Sequence, residues 1–384
     1  MKLVLTGGGT GGHLFPIVAL VREINNLYSQ KSQGLKDDEL KFIFMGPKSR
    51  INKSLAGALS QNKIKMVNIL AGKRRRYKGF KVRLQNFIDI FKIILGTIQS
   101  FVYLFFSAPD GIFSKGGYGS LPVVIAGRLL KIPIFIHESD IIVGASNRKL
   151  INKNSIVFTS FPETKIANHS KVVFVGNPIR REILNGSPDE AKKFFNIDSA
   201  KKVVLIMGGS QGSERINNVV LDILPRLVKA FEVIHSVGHN NYQQIEKEAK
   251  VMIGDKFGKS YHLYPFFEEE ELRQALAAAD IIISRAGSSS IFEIAAKGKP
   301  SIIIPLSESA QNHQIRNAYY YSRDKACVVI EESNFTPNYL LQTLKNMLFS
   351  KKNISKMESA AKKFARPDAA RKVAEYIINY LYQE

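Results

Sequence analysis

The sequence predicts an α/β protein of two Rossmann-like domains, each a parallel sheet flanked by helices. Three observations carry this expectation. Short β-branched runs alternate with helical stretches along the chain, the pattern of parallel α/β sheets. The alternation breaks at Gly176-Asn177-Pro178, where an asparagine–proline step favours a turn, and then restarts. Both halves open alike, with an apolar strand, a glycine-rich turn and a helix. At 384 residues the chain also exceeds what one hydrophobic core usually organises.

In the first half the apolar runs predict strands at Lys2–Thr6, Phe42–Met45, Gly111–Ser114, Ile134–His137, Ser155–Thr159 and Val172–Val175. In the second they predict Val203–Met207, Phe231–Ser236, Ser260–Leu263, Ile281–Ser284, Ser301–Pro305 and Ala326–Ile330. The expected domains are 1–178 and 179–366, facing each other across a cleft, with a last helix (367–384) completing the first.

Composition narrows the class. With 45% hydrophobic and 23% charged residues, the chain is neither largely disordered nor collagen-like. Cys327 is the only cysteine, which excludes an intrachain disulfide and a Cys-based zinc site. The seven histidines show no ligand spacing such as HExxH, so no metal is expected. The opening run MKLVLTGGG is broken by glycines and reads as neither signal peptide nor spanning helix, which fits a cytosolic chain. The 55 Lys and Arg against 33 acidic residues give +22, which asks for a polyanionic partner: nucleic acid, phosphorylated ligands or an anionic membrane.

The charge is concentrated. Lys73, Arg74, Arg75, Arg76, Lys78, Lys81 and Arg83 surround Tyr77 and Phe80, and an apolar stretch from Phe87 to Phe106 follows. Asp89, Lys92, Gln99 and Ser100 interrupt it, each costly at a bilayer centre. Phe87, Phe91, Ile94, Ile98, Phe101 and Phe105 recur at helical steps, predicting a helix with one apolar face buried. Two readings stand: a core helix behind a solvated basic loop, or a peripheral membrane contact of basic and aromatic side chains.

Gly7 to Gly12 satisfies G-x-G-x-x-G after a strand. A dinucleotide site wants a carboxylate at the end of the second strand, and Phe44-Met45-Gly46-Pro47-Lys48 offers none, so no dinucleotide is expected. Bare amides at a helix start still suit a phosphate or diphosphate, the plain alternative being a tight turn. His13 follows at the helix start, where the dipole disfavours imidazolium and leaves a neutral ring able to accept a proton. It is a candidate base, or else a capping or packing histidine.

The second turn, Gly208-Gly209-Ser210-Gln211-Gly212, is another phosphate-type loop, with the Ser210 hydroxyl at hand. Ser284-Arg285-Ala286-Gly287-Ser288-Ser289-Ser290 leads from a strand into a helix and suits a diphosphate. Glu293, one turn in, can hold a ribose diol or be an ordinary first-turn glutamate. His137-Glu138-Ser139-Asp140 ends a strand where open sheets place ligands, with Glu138 a rival base. Gln311, Asn312, Gln314 and Asn317 form an amide cluster suited to sugar hydroxyls, or to solvent.

Together these motifs resemble a known family. GGGTGGHLFP from Gly7 to Pro16, KGGY from Lys115, HESD from His137, GNPIR from Gly176, GGSQG from Gly208, the Ser284–Glu293 segment and QIRNA from Gln314 come in family order. The set is similar to the undecaprenyldiphospho-muramoylpentapeptide β-N-acetylglucosaminyltransferases of glycosyltransferase family 28. The resemblance implies a GT-B fold, with UDP-GlcNAc and lipid I as partners and no metal or other cofactor. The implied reaction is inverting transfer to the muramoyl 4-hydroxyl, giving lipid II and UDP.

Residue by residue it implies Ser210 at the diphosphate, with Ser288, Ser289 and Ser290 at the adjacent helix start. Glu293 falls at the ribose, and Gln314 and Asn317 at the GlcNAc hydroxyls. Thr10, Gly11, Gly12 and His13 form the first loop, and Arg180 follows GNP. Asp140 stands where members commonly carry asparagine, and Phe267, before a long acidic run, is the candidate uracil contact. An acceptor on a polyprenyl diphosphate also makes Arg74, Arg75, Arg76, Tyr77, Lys78 and Phe80 a membrane contact, on the cytoplasmic face. The rivals are another UDP-GlcNAc enzyme, with a different acceptor or a 2-epimerase, and a nucleic-acid-binding protein, for which no motif is present.

Overall fold

The computed structural model describes residues 1–8, 11–31, 40–47, 53–73, 80–166, 171–197 and 200–382. They form two compact units, Met1–Arg180 with Asp368–Glu384, and Arg181–Pro367.

The first unit holds β1 (Lys2–Thr6), α1 (Gly11–Lys31), β2 (Lys41–Gly46), α2 (Lys53–Gln61), β3 (Ile64–Asn68), α3 (Phe80–Ser107), β4 (Gly111–Ser114), α4 (Leu121–Leu129), β5 (Ile134–Glu138), α5 (Ala145–Leu150), β6 (Ile156–Thr159) and β7 (Lys171–Phe174). Its seven described strands are all parallel, in the order β3-β2-β1-β4-β5-β6-β7. Buried aliphatic and aromatic side chains cover both faces, as parallel sheets require.

The second unit holds α6 (Pro188–Phe194), β8 (Lys202–Met207), α7 (Glu214–Ala230), β9 (Phe231–Ser236), α8 (Tyr242–Ile253), β10 (Tyr261–Tyr264), α9 (Glu269–Ala278), β11 (Ile281–Arg285), α10 (Ser288–Lys297), β12 (Ser301–Ile304), α11 (His313–Ser322), β13 (Val328–Val329), α12 (Pro337–Phe349) and α13 (Lys351–Phe364). Its described sheet runs β10-β9-β8-β11-β12-β13, again parallel. In both sheets the strand order reverses beside the first strand, between β1 and β4 and between β8 and β11. An open α/β sheet offers its ligand crevice at that switch point.

The last helix, α14 (Ala369–Tyr382), packs on the first unit. Val373, Ala374, Ile377 and Ile378 join the cluster of Leu3 and Leu5, while Tyr380 and Tyr376 stand edge-on to Phe135 and Phe158 at 5.4 and 5.3 Å.

Two elements depart from the sequence reading. β3 went unforeseen: in IKMVN only Ile64 is buried, because an edge strand needs no continuous apolar run. The larger departure is α3, a helix as expected but turned the other way. Phe87, Phe91, Ile94, Ile98, Phe101 and Phe105, the stripe assigned to burial, are all exposed. The inward face carries Asp89, Gly96, Ser100 and Leu104. Small residues decide the orientation. A Cβ on Gly96 would fall 1.8 Å from Leu70 O, and one on Gly72 would fall 2.0 Å from Asp89 O. The backbones thus meet directly, and Leu70 N donates to Gln99 Oε1 at 3.0 Å.

Candidate active site

Strand register builds the first cluster. Thr6 pairs with Ser114, so the Gly7 turn and Lys115 leave the sheet side by side at its switch point. Lys115 N donates to Thr6 O at 2.9 Å, and Gly116 and Gly117, with φ of 78° and 85°, fold the KGGY segment against that turn. A Cβ on Gly117 would lie 2.9 Å from Gly8 N. Glycine is therefore a packing requirement here.

His13, in the first turn of α1, is half-buried over Gly8, where a Cβ would lie 2.6 Å from its Cδ2. Its Nδ1 donates to Lys115 O at 3.2 Å. A carbonyl oxygen only accepts, so the neutral ring keeps its lone pair on Nε2. Burial, then the Lys115 ammonium, lowers its pKa from the ordinary value. Gly11 is buried and Gly12 exposed beside it, whereas Thr10 lies outside the described residues.

Glu138 is committed to its own loop. Its two carboxylate oxygens accept from Asp140 N at 3.1 Å, Gly144 N at 2.9 Å and Asn147 Nδ2 at 2.9 Å. Burial and the Asp140 carboxylate raise its pKa against those bonds. This geometry makes Glu138 the anchor of the 140–144 loop and a poor second base. Asp140 is half-buried on that loop. Arg180, 3% exposed, lies with its guanidinium 4.0 Å above the Phe15 ring, a packing position inside the first unit.

The second cluster repeats the geometry. Met207 pairs with Ser284, so the Gly208 turn and Arg285 leave β8 and β11 together at the switch point of that sheet. Gly209 and Gly212 take φ of 89° and 77°, and Gly212 N donates to Gly209 O at 2.9 Å. A Cβ on Gly212 would strike Val237 O at 2.0 Å. Ser210 stands exposed on this turn, and Ser213 caps α7 by accepting from Ile216 N at 3.3 Å.

After β11 the chain enters α10 at Ser288, with Ser289 and Ser290 half-buried. The first amides of a helix lack acceptors inside it, which favours an anion there. Ser288 Oγ is buried with no hydrogen-bond partner among the described residues. Glu293, 9% exposed, sits on the second turn.

Two expectations need correction. Phe267 is buried in the core beside Tyr264, with ring centroids 5.3 Å apart, so it presents no face to a base. Phe266, half-buried, instead stacks on His239 at 6.0 Å. Asn317 is fully buried and donates to Ala286 O at 3.3 Å, bracing the loop before Ser288 instead of meeting a sugar. The acidic run starts α9: Glu271 accepts from Glu268 N at 2.7 Å and Glu270 pairs with Arg273 at 2.6 Å. Carboxylates in a first turn complement the helix dipole. Gln314 is half-buried, its Oε1 accepting from Leu306 N at 3.1 Å.

Of the basic patch, Arg74, Arg75, Arg76, Tyr77 and Lys78 lie outside the described residues, and Phe80 is 84% exposed at the head of α3. Sequence reasoning missed two organising cations. Lys115 is buried and donates to His137 Nδ1 at 2.7 Å, to Asn177 Oδ1 at 2.9 Å and to Ser139 Oγ. Arg285 donates to Ser213 Oγ and Ile304 O and pairs with Glu332. Both stood inside quoted motifs, but their partners lie far along the chain. Among the described residues no group of three His, Cys, Asp or Glu is placed to hold a metal.

Comparison with known proteins identifies the family and the fold. Residues 3–159 match the glycosyltransferase family 28 N-terminal domain, and residues 203–373 match its C-terminal domain. A Clostridium kluyveri UDP-N-acetylglucosamine–N-acetylmuramyl-(pentapeptide) pyrophosphoryl-undecaprenol N-acetylglucosamine transferase is 36% identical over 382 residues, covering 99% of each chain. The crystal structure of Acinetobacter baumannii MurG superposes with a TM-score of 0.70 at 24% identity, over 98% of this chain and 99% of that one. A Neisseria meningitidis UDP-GlcNAc 2-epimerase bound to UDP-GlcNAc shares the fold alone, with a TM-score of 0.65 at 15% identity, over 99% of this chain and 100% of that one.

Proposed function

Because this chain belongs to glycosyltransferase family 28, we propose a division of labour between its two switch-point clusters. It is an N-acetylglucosamine transferase of peptidoglycan synthesis, moving the sugar from UDP-GlcNAc to the lipid-linked muramyl pentapeptide, lipid I. The donor binds the second unit. The Gly208–Gly212 turn, Ser210 and the start of α10 at Ser288, Ser289 and Ser290 hold the diphosphate, Glu293 the ribose diol and Gln314 the sugar. One observation supports this most: two anion-type turns flank one switch point, and Arg285 ties Ser213, just beyond the first turn, to the strand that feeds the second.

The acceptor belongs to the first unit. His13 Nε2 takes the proton of the muramoyl 4-hydroxyl as that oxygen attacks the anomeric carbon. The bond from this carbon to the diphosphate oxygen breaks, and the electron pair leaves on UDP, stabilised by turn amides and Ser210. A single displacement inverts the configuration. No residue here requires a metal for the step.

The exposed face of α3 supports peripheral association with the cytoplasmic leaflet. Its segment Val82–Ser107 is long and apolar enough to cross a membrane, and most of it is exposed. Yet Asp89, Gly96 and Ser100 are spent on the first unit, so the outer face alone can enter lipid. The preceding arginines and lysines would meet anionic headgroups, and the +22 charge is assigned to lipid, not to nucleic acid. The decisive assay supplies UDP-GlcNAc and lipid I and looks for UDP and lipid II. Release of UDP without lipid II would overturn the assigned acceptor.

A further inference from the structure

We propose that Lys115 is a positioning residue for this reaction, one that sets the orientation and tautomer of His13 through its carbonyl and locks three loops around it through its ammonium. The proposal rests on reading His13 as the base. Lys115 Nζ has three protons and three partners: His137 Nδ1, Ser139 Oγ and Asn177 Oδ1. His137 Nε2 donates to Gly176 O at 3.0 Å, so its Nδ1 is the acceptor for Lys115. One side chain thereby joins the ends of β4 and β5 to the Gly176-Asn177 segment.

The same residue's carbonyl accepts from His13 Nδ1, which leaves Nε2 as the only basic nitrogen of that ring. Any shift of the Lys115 backbone is a shift of the histidine. The buried ammonium also acts by charge. His137 beside it, Glu138 and Asp140 at the end of β5 and His13 on α1 are the titratable groups around it. Burial brings Lys115 down to about 7, against the opposing pull of Glu138 and Asp140. While protonated, it favours neutral His13 and neutral His137. Deprotonation leaves Nζ two donors and a lone pair, which the Ser139 hydroxyl can fill by reversing its bond. The loops then stay joined while the charge is lost.

The test compares Lys115→Met, close in length and uncharged, with Lys115→Arg, which restores charge. UDP-GlcNAc affinity and thermal midpoint report folding. In Lys115→Met kcat should fall about ten- to a hundredfold, part of the ~10²–10⁴ that a positioned base contributes. The UDP-GlcNAc KM should stay within about twofold, because the substitution lies in the other unit. The acid limb of kcat/KM should move to higher pH, since removing a cation raises the pKa of His13, and Lys115→Arg should move it back. A folded Lys115→Met enzyme with wild-type kcat and an unmoved limb overturns the proposal. If that variant does not fold, imidazole ¹⁵N shifts of the wild-type protein decide: protonated Nδ1 on His13 and protonated Nε2 on His137 uphold it, and the reverse overturns it. Failure of the base reading shows elsewhere, as normal turnover in His13→Gln.

Discussion

Arg285 and Glu332 form an ion pair at 2.7 Å, and the same guanidinium donates to Ser213 Oγ at 2.6 Å and to Ile304 O at 3.3 Å. Glu332 in turn accepts from Ser307 N at 2.9 Å. Although burial opposes it, these bonds from Ser307 and Arg285 hold the carboxyl below its usual range. Three strand-end loops of the second unit are thus fixed by one planar cation. Lysine cannot reproduce that fork. Arg285→Lys should raise the UDP-GlcNAc KM about tenfold, the scale of a charged hydrogen bond of ~1.5–3 kcal/mol. Steady-state kinetics with varied donor measures it, and an unchanged KM removes Arg285 from the donor site.

Glu293 sits one turn inside α10, where its carboxylate can bridge a ribose diol. Glu293→Gln keeps size and loses charge. The donor KM should rise about ten- to a hundredfold, following the same charged hydrogen-bond scale, with UDP affinity falling in parallel. Calorimetry with UDP alone isolates the nucleoside contribution, and equal affinity in both proteins contradicts the assignment.

On the proposed mechanism His13 acts while neutral. Rising pH switches the reaction on as the ring loses its proton, and burial with the Lys115 cation places that pKa below the ordinary 6.5. The acid limb of kcat/KM should therefore lie below pH 6.5, with a plateau at neutrality. In His13→Gln kcat should drop by about 10²-fold or more with an unchanged donor KM. A limb above pH 6.5 in the wild type contradicts the geometry.

The outer face of α3 is free of packing duties. Phe87→Ser with Phe91→Ser should weaken sedimentation with vesicles containing anionic lipid, and leave turnover of a soluble acceptor analogue and the thermal midpoint unchanged. Each buried aromatic contributes about 1.5–3 kcal/mol, so the pair should cost at least tenfold in partitioning. Equal binding to vesicles would reassign the membrane contact.

Gly96 is the opposite case. A side chain there meets Leu70 O at 1.8 Å, a backbone atom that cannot swing away. Gly96→Val should destabilise the first unit by about 1–3 kcal/mol, as overpacking does. Urea denaturation measures the loss, and a neutral substitution would mean that α3 does not lie against Leu70.

Much was legible in the chain because the cause was local. The strands came from β-branched runs, the glycine turns from positions that need positive φ or a close approach, and the second unit from a repeated strand–turn–helix opening. The family followed from ordered motifs. The misplacements share a different cause. Phe267 and Phe266 are neighbours of one type, and only the packing of Tyr264 and Phe267 decides which ring is core. Asn317 looks like a sugar ligand until the carbonyl of Ala286, 31 positions away, accepts its hydrogen bond.

The sequence by itself determined two parallel α/β units, the glycine turns at their switch points and the histidine at a helix start, since propensity, turn chemistry and helix dipole act within a few residues. Tertiary structure alone decided which face of α3 meets solvent. A helical period finds an apolar stripe but not its partner, and two glycines let the polar side dock instead. It also decided that Lys115 and Arg285 tie together the loops at each switch point, because their partners are gathered by strand order from segments 19 to 72 positions distant.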